Sequence, residues 1–180
     1  MKLECIVPPA KEPLTPAEAR EYLRIDEDIE DSLTESFITA GRMYCENYQK
    51  QAYYTQTLRV TVNADELAGF EIELPRSKHL QKVLSVKFKT NAGEVDCDDY
   101  SVRCGDVYSC VDLLTLPDGD IIIEYVAGED DPQIDDVKTA IKLLIGGLHG
   151  NRQPFIEDGR NVMEMPFGVK ALLDRGRVII

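Results

Sequence analysis

Positive charge is scarce in this 180-residue chain. Twenty lysines and arginines stand against 33 aspartates and glutamates, a formal net charge of -13. That balance opposes the attraction to phosphate on which most nucleic-acid affinity rests, so a DNA-binding protein is disfavoured from the start. Histidine is rarer still. His79 and His149 lie far apart and form no H-x-x-x-H or H-E-x-x-H pattern, which removes the usual sequence basis for two imidazoles on one metal.

Paired cysteines are missing as well. Cys5, Cys45, Cys97, Cys104 and Cys110 are an odd number, widely scattered, without a C-x-x-C pair or a preceding signal peptide. Reduced thiols in a cytosolic setting are therefore expected. Cys97, Cys104 and Cys110 fall on neighbouring strands or turns with no histidine to complete a set of four, which reads as small, partly buried thiols. Long apolar runs are also absent. The run "AIKLLIGGL" falls far short of the roughly 20 apolar residues that a membrane span needs. The glycines form no G-x-x-x-x-G-K-[ST] or G-x-G-x-x-G cradle for phosphate. Gly146 and Gly147 instead fall within a helix, where missing side chains would let a neighbour approach.

Apolar residues make up 43% of the chain and charged residues 29%, close to globular averages, so the chain is expected to fold as one domain. Thr15, Pro16 and Glu18 spell a capping box with proline at the first helical position. Asp26 can cap a second helix, with Glu27, Asp28 and Glu30 at the positive end of its dipole. Ile29, Leu33, Phe37, Ala40, Tyr44 and Tyr48 then recur at spacings of three and four, which predicts a helix of about five turns with that stripe facing inward.

After Lys50 the period drops to two. "TQTLRVTVNA", "FEIEL", "KVLSVKFKT", "YSVRC", "VYSCVDLL" and "DIIIEYVAG" predict five or six antiparallel strands, with turns at Asn91-Ala92-Gly93 and Pro117-Asp118-Gly119. Asp135 or Asp136 caps a third helix carrying Val137, Ala140, Ile141, Leu144, Ile145 and Leu148 on one face. "NRQPFIEDGRNVMEM" reads as a mobile loop, and Pro166 opens a short final helix with Val169, Leu172 and Leu173 on one side.

The fold class that follows is α+β: mainly an α-helical bundle of long helices, with an antiparallel β insertion between helix 2 and helix 3 and a short C-terminal helix. The expected boundaries are one domain over 1–180, helical over 14–50 and 135–175, with the β insertion over 54–128.

No enzyme constellation emerges, so no catalytic residue, cofactor or metal is assigned. The carboxylates of "CDDY" and "GEDD" lack the alternating ligands, glycine and terminal glutamate of an EF-hand, and read as solvated turns. Arg152, Arg160, Arg175 and Arg177 gather toward the C-terminus, either as a patch for an acidic partner surface or for solubility. The final stretch "MEMPFGVKALLDRGRVII" places an apolar-faced helix and a run of apolar residues where a covering surface is required.

The segment "LTPAEAREYLRIDEDIEDSLTESFITAGRMYCENY" resembles the opening of bacteriophage head-tail connector proteins, the group that includes the gp6-like adaptors and the phiE125 gp8 family. The resemblance continues in order through "VLSVKF", "NAGEV", "YSV", "IIIEYVAG", "VKTAIKLLIGGLHGNRQ" and "MPFGVKALL", from Leu14 to Leu173. Relatives often carry bulky aromatics where this chain has Gly147, Leu148, His149 and Gly150.

The resemblance implies a non-enzymatic, ring-forming structural protein. It would be a homo-oligomer, dodecameric on the portal protein below a filled capsid, meeting a downstream neck or tail-completion protein on its other side. DNA would pass through its channel without specific binding, and no membrane would be involved. Its place would be the virion neck, after assembly in the host cytoplasm. In a ring each subunit buries a patch on its neighbour, which makes Arg152, Pro166, Phe167, Val169, Leu172, Leu173, Val178, Ile179 and Ile180 the expected partner contacts. Two other readings compete: a DNA-packaging accessory that binds nucleic acid or the packaging motor, and a thiol- or carboxylate-dependent enzyme of the host cytoplasm.

Overall fold

The computed structural model describes residues 1–25, 31–90, 93–150 and 167–178. The chain divides into two compact units, Met1–Lys11 with Lys50–Pro132 and Glu12–Gln49 with Gln133–Ile179, where the sequence suggested a single domain over 1–180. No helix among the described residues is long and apolar enough to cross a membrane.

The first unit is built of strands: β1 (Lys2–Val7), β2 (Gln56–Asn63), β3 (Glu71–Leu74), β4 (Leu80–Thr90), β5 (Gly93–Asp96), β6 (Tyr100–Cys104), β7 (Ser109–Leu113) and β8 (Asp120–Ala127). They form two antiparallel sheets, one in the order β1-β2-β8-β4-β5 and one in the order β3-β7-β6. Alternation in the sequence decides which side of each strand is dry. On β2 and β8 the paired residues Leu58 and Tyr125, Val60 and Ile123, and Val62 and Ile121 all point into the core. Val86 of β4 joins them, and from the other sheet come Ile72, Leu74, Val111 and Leu113, so the two sheets share one apolar interior. The Tyr125 hydroxyl reaches the Pro75 carbonyl at 2.5 Å, which satisfies the one polar atom this side chain carries into that interior. Burial pushes its phenol well above the ordinary tyrosine range.

The opposite face of the five-stranded sheet is charged. Arg59 Nε donates to Glu124 Oε1 at 2.8 Å across the β2–β8 pair, and Lys87 lies 3.8 Å from Glu94 across β4 and β5. Leu84 stands exposed where the β4 register slips between Val83 and Ser85.

The second unit holds α1 (Pro16–Leu23), α2 (Asp31–Gln49), α3 (Asp135–Gly150) and α4 (Phe167–Asp174). The capping box forms as the sequence predicts. Thr15 Oγ1 accepts from the Glu18 N–H at 3.2 Å, and the Thr15 N–H donates to Glu18 Oε2 at 2.8 Å. The predicted Asp26 cap and the predicted loop over 151–165 lie outside the described residues. The helices pack through Leu14, Ala19, Ile38, Cys45, Ala140, Ile141, Ile145, Val169 and Leu173, all buried. Of the two glycines expected to admit a neighbour, Gly146 lies 3.4 Å from the Tyr22 ring, measured from where a Cβ would stand, and Gly147 meets open space. A tighter approach occurs at Gly41, whose added Cβ would sit 3.0 Å from Ile141.

Two expectations are corrected. The chain is not a mainly helical bundle of long helices. Among the described residues helix and strand hold about equal shares, and of the four helices there only α2 and α3 exceed eight residues. The strong period of α2 exaggerates the helical part, while β1 and β5 carry no clean apolar alternation to mark them as strands. The second correction concerns α2 itself. Its buried positions are Thr34, Ile38, Gly41, Arg42, Cys45, Glu46 and Gln49, whereas Leu33, Phe37 and Tyr48 are half-buried and Ala40 and Tyr44 exposed. The inward face is therefore turned away from the predicted apolar stripe, toward one that mixes Ile38 and Cys45 with polar side chains.

In the strand unit the stretches Tyr53–Thr55 and Gly128–Glu129 run side by side. The Thr55 N–H donates to Glu129 O at 3.1 Å, and the Glu129 N–H donates to Tyr53 O at 2.9 Å. Gly128 makes the crossing possible. Its φ is +102°, and a Cβ there would fall 2.2 Å from the Tyr54 carbonyl oxygen. Gly128→Ala is expected to cost about 2 kcal/mol or more in urea unfolding, from left-handed strain and the backbone clash together. Unchanged stability would show that the crossing relaxes without cost.

Candidate functional site

The nine residues expected to contact partners divide into three groups. Arg152, Pro166, Ile179 and Ile180 lie outside the described residues, and Phe167 opens α4 with its side chain likewise outside them. Val169, Leu173 and Val178 are buried within their own subunit, so their cover comes from the chain itself. Leu172 is half-buried. The closure is made at the end of α2. Gln49 Nε2 donates to Leu173 O at 2.7 Å, and the Val178 N–H donates to Gln49 O at 3.1 Å. Tyr48 Oη donates to Asp174 Oδ1 at 2.6 Å, and the Arg177 guanidinium lies 5.0 Å over the Tyr48 ring. Of the four C-terminal arginines, Arg177 is thus engaged with Tyr48, Arg175 approaches Asp136 at 3.4 Å, and Arg152 and Arg160 fall outside the described residues.

Among the described residues, one group of side chains has metal-ligand chemistry. Glu71, Cys110 and Asp112 bring their ligand atoms within 4.8 Å of one another on the outer face of β3 and β7. Arg103 of β6 already answers both carboxylates. Its Nε donates to Asp112 Oδ2 at 2.6 Å, a second nitrogen donates to Asp112 Oδ1 at 3.0 Å, and it bonds Glu71 as well. That contact holds the Asp112 carboxyl below the usual aspartate range and the guanidinium above its own. The arrangement is a cross-strand ion network in which one arginine bridges both carboxylates. The spacing of Arg103 from Glu71 conceals it in the sequence until β6, β7 and β3 are in register.

The other candidates resolve into local bonding. Asp130 of "GEDD" accepts from the Thr55 hydroxyl at 2.8 Å, and Glu129 lies 3.4 Å from His79 Nδ1. Neither histidine joins a metal-holding group among the described residues. The five cysteines remain thiols, with Cys45, Cys97 and Cys110 buried and Cys5 and Cys104 exposed. Burial pushes the Cys45 thiol up to about 12, which removes it as a nucleophile at neutral pH.

The buried charge on α2 is the feature that the sequence concealed most completely. Arg42 is 4% exposed and Glu46 fully buried. Arg42 Nη1 donates to Glu46 Oε2 at 3.0 Å, while its Nε and Nη2 reach the two oxygens of Glu12 at 2.8 and 3.2 Å. Thr39 Oγ1 adds a bond to Glu12 at 3.1 Å. Burial alone would lower the Arg42 pKa, but the bonds and charges of Glu12 and Glu46 outweigh it and the value is raised. A cation so enclosed is a structural anchor: it is saturated by its own chain and offers nothing to a ligand.

No family model and no curated protein sequence matches the chain. Its fold is that of chains from particle necks. Over 100% of this chain and 97% of the other, it superposes on a chain from the neck of a native gene transfer agent particle computed with C12 symmetry, with a TM-score of 0.75 and 21% identity. Chains from the neck of the empty particle computed with C6 symmetry and from the native virion give TM-scores of 0.73 and 0.71 at the same identity and coverage.

The Arg42 anchor yields a test. Arg42→Met removes the guanidinium that Glu46 is enclosed with, at an expected cost of about 3–5 kcal/mol in urea unfolding. Combining it with Glu46→Leu removes that carboxylate as well and should recover a large part of the loss. Strict additivity of the two substitutions would show that the pair is not coupled.

Proposed function

We propose that this chain is a structural subunit of the neck of a tailed phage or phage-like particle, assembling as a cyclic ring. The observation that carries this reading is the likeness to neck chains across nearly the whole length of both partners, at TM-scores of 0.73 and 0.75. Coverage of 100% and 97% means that neither chain adds a domain of its own to a shared core. The C6 and C12 symmetries of those necks favour a ring of identical copies here, and a heterologous surface repeated around a closed axis builds one.

In the finer form of this proposal the ring is a head-tail connector. It docks on the portal protein, meets a downstream neck or tail-completion protein, and extends the DNA channel toward the tail. The order of motifs from Leu14 to Leu173 supports that form. Leu172 remains a proposed partner contact, together with Arg152, Pro166, Phe167, Ile179 and Ile180. Val169, Leu173 and Val178 serve the subunit's own core instead. The role asks for packing surfaces and no catalysis. The charge of -13 suits a conduit, because a channel rich in carboxylate lets phosphates slide without holding them.

Sedimentation velocity and negative-stain imaging over a range of concentrations, with and without the portal protein of the same particle, are expected to show closed rings. A chain that stays monomeric at high concentration, even beside the portal, would overturn the ring. Gel-shift titration with duplex DNA at low salt is expected to show no tight binding by the assembled ring. Strong, salt-sensitive retention would favour the packaging-accessory reading instead.

A further inference from the structure

We propose that the outward flank of α2, carrying Leu33, Phe37, Ala40, Met43 and Tyr44, is the surface on which a second copy of this chain packs. The inference rests on the ring proposed above and gives it a contact surface. Met43 and Tyr44 are 47% and 42% exposed, Ala40 is exposed, and Leu33 and Phe37 are half-buried. From Leu33 to Tyr44 the stripe spans roughly 17 Å at 1.5 Å per residue, long enough for another helix to cross it.

The polarity of α2 departs in part from what a lone subunit favours. Its inner face holds Thr34, Arg42, Glu46 and Gln49 beside Ile38 and Cys45, while Met43 and Tyr44 stand exposed on its flank. An amphipathic helix in a monomer normally turns its apolar stripe inward, because that removes the most apolar area from water. Here the enclosed Arg42–Glu46 pair fixes the rotation, and the stripe is left partly in solvent.

Charge identifies the occupant as another copy. Two chains that each carry -13 repel wherever their carboxylates face one another, so copies approach most readily across a neutral strip. The exposed residues of α2 from Ser32 to Asn47 are Ser32, Glu35, Ser36, Ala40, Met43, Tyr44 and Asn47, with a single charge among them. A basic partner would be expected to seek acidic surface elsewhere on the chain; a like-charged one is best received on this strip. Aromatic and methionine side chains are also the types enriched where protein surfaces meet.

Met43→Glu and Tyr44→Glu, singly and together, test the proposal against Leu84→Glu, an equally exposed apolar position on β4. All four proteins should melt within a few degrees of the parent chain, since none of these side chains is in the core. Self-association by sedimentation velocity is expected to weaken at least tenfold for the α2 variants and to stay unchanged for Leu84→Glu. If the parent chain forms rings and the α2 variants form them equally well, the α2 surface is wrong and the ring stands. A parent chain that forms no rings, alone or on the portal, removes the ring and this surface together. An α2 variant that melts far below the parent would contradict the exposure on which the surface rests.

Discussion

The enclosed Arg42 guanidinium sets more of the helical unit than any other single group. A cation taken out of water loses several kilocalories per mole of solvation, and only close, well-aligned acceptors offset that loss. Glu46 supplies one from the next turn of α2, and Glu12 supplies two from the segment ahead of α1. Three directional bonds to two carboxylates leave α2 little freedom to rotate about its axis. The rotation in turn decides that Ile38 and Cys45 enter the core beside Gly41, where Ile141 of α3 approaches. Gln49 arrives on the same inward side and bonds the backbone at Leu173 and Val178, so the position of the C-terminal helix follows from the same constraint.

The strand unit is governed by a different rule, that of register. Eight strands in two sheets place every second residue of β2 and β8 inside, and a slip by one residue would drive Arg59 and Glu124 into the core in place of Leu58 and Tyr125. The outer faces carry ion pairs of both signs, with Arg59 on Glu124, Lys87 on Glu94 and Arg103 on Asp112 and Glu71. Exposed pairs of this kind add little stability. Their effect is on register, because the displaced pairing would set charges against apolar side chains.

Much of this was legible in the residues and some was not, for reasons that differ by element. The α1 capping box is local, spanning Thr15 to Glu18, and could be read directly. Strands β2, β4 and β8 announce themselves by alternation. Strand β5 could not, since all four of its residues are exposed and no apolar face exists to detect. The inner face of α2 was misplaced because periodicity reports which residues are apolar, whereas burial there is set by pairing between Arg42 and a glutamate thirty positions earlier. The same distance problem hides Arg103 and Glu71. The terminal apolar cluster was visible, but its cover was not: Gln49 is polar and 124 residues from Leu173, and nothing in the sequence joins them.

The enclosed charge and the exposed stripe of α2 have a common physical basis. A subunit designed to stand alone minimises exposed apolar surface and keeps charge outside, and a reader of sequence assumes as much. In α2 the assumption fails in both directions at once, with charge enclosed and an aromatic stripe left out. For an isolated subunit that arrangement costs free energy twice, through desolvation of the ions and through hydration of the stripe. In the proposed ring a second copy covering the stripe would offset the second of these costs, because the anchor holds that surface in a fixed orientation without taking part in the contact. Specific ring closure demands such an orientation, since an error of a few degrees per subunit accumulates around the circle. In the proposed ring the enclosed Arg42–Glu46 pair and the neutral outer flank of α2 would meet that demand together.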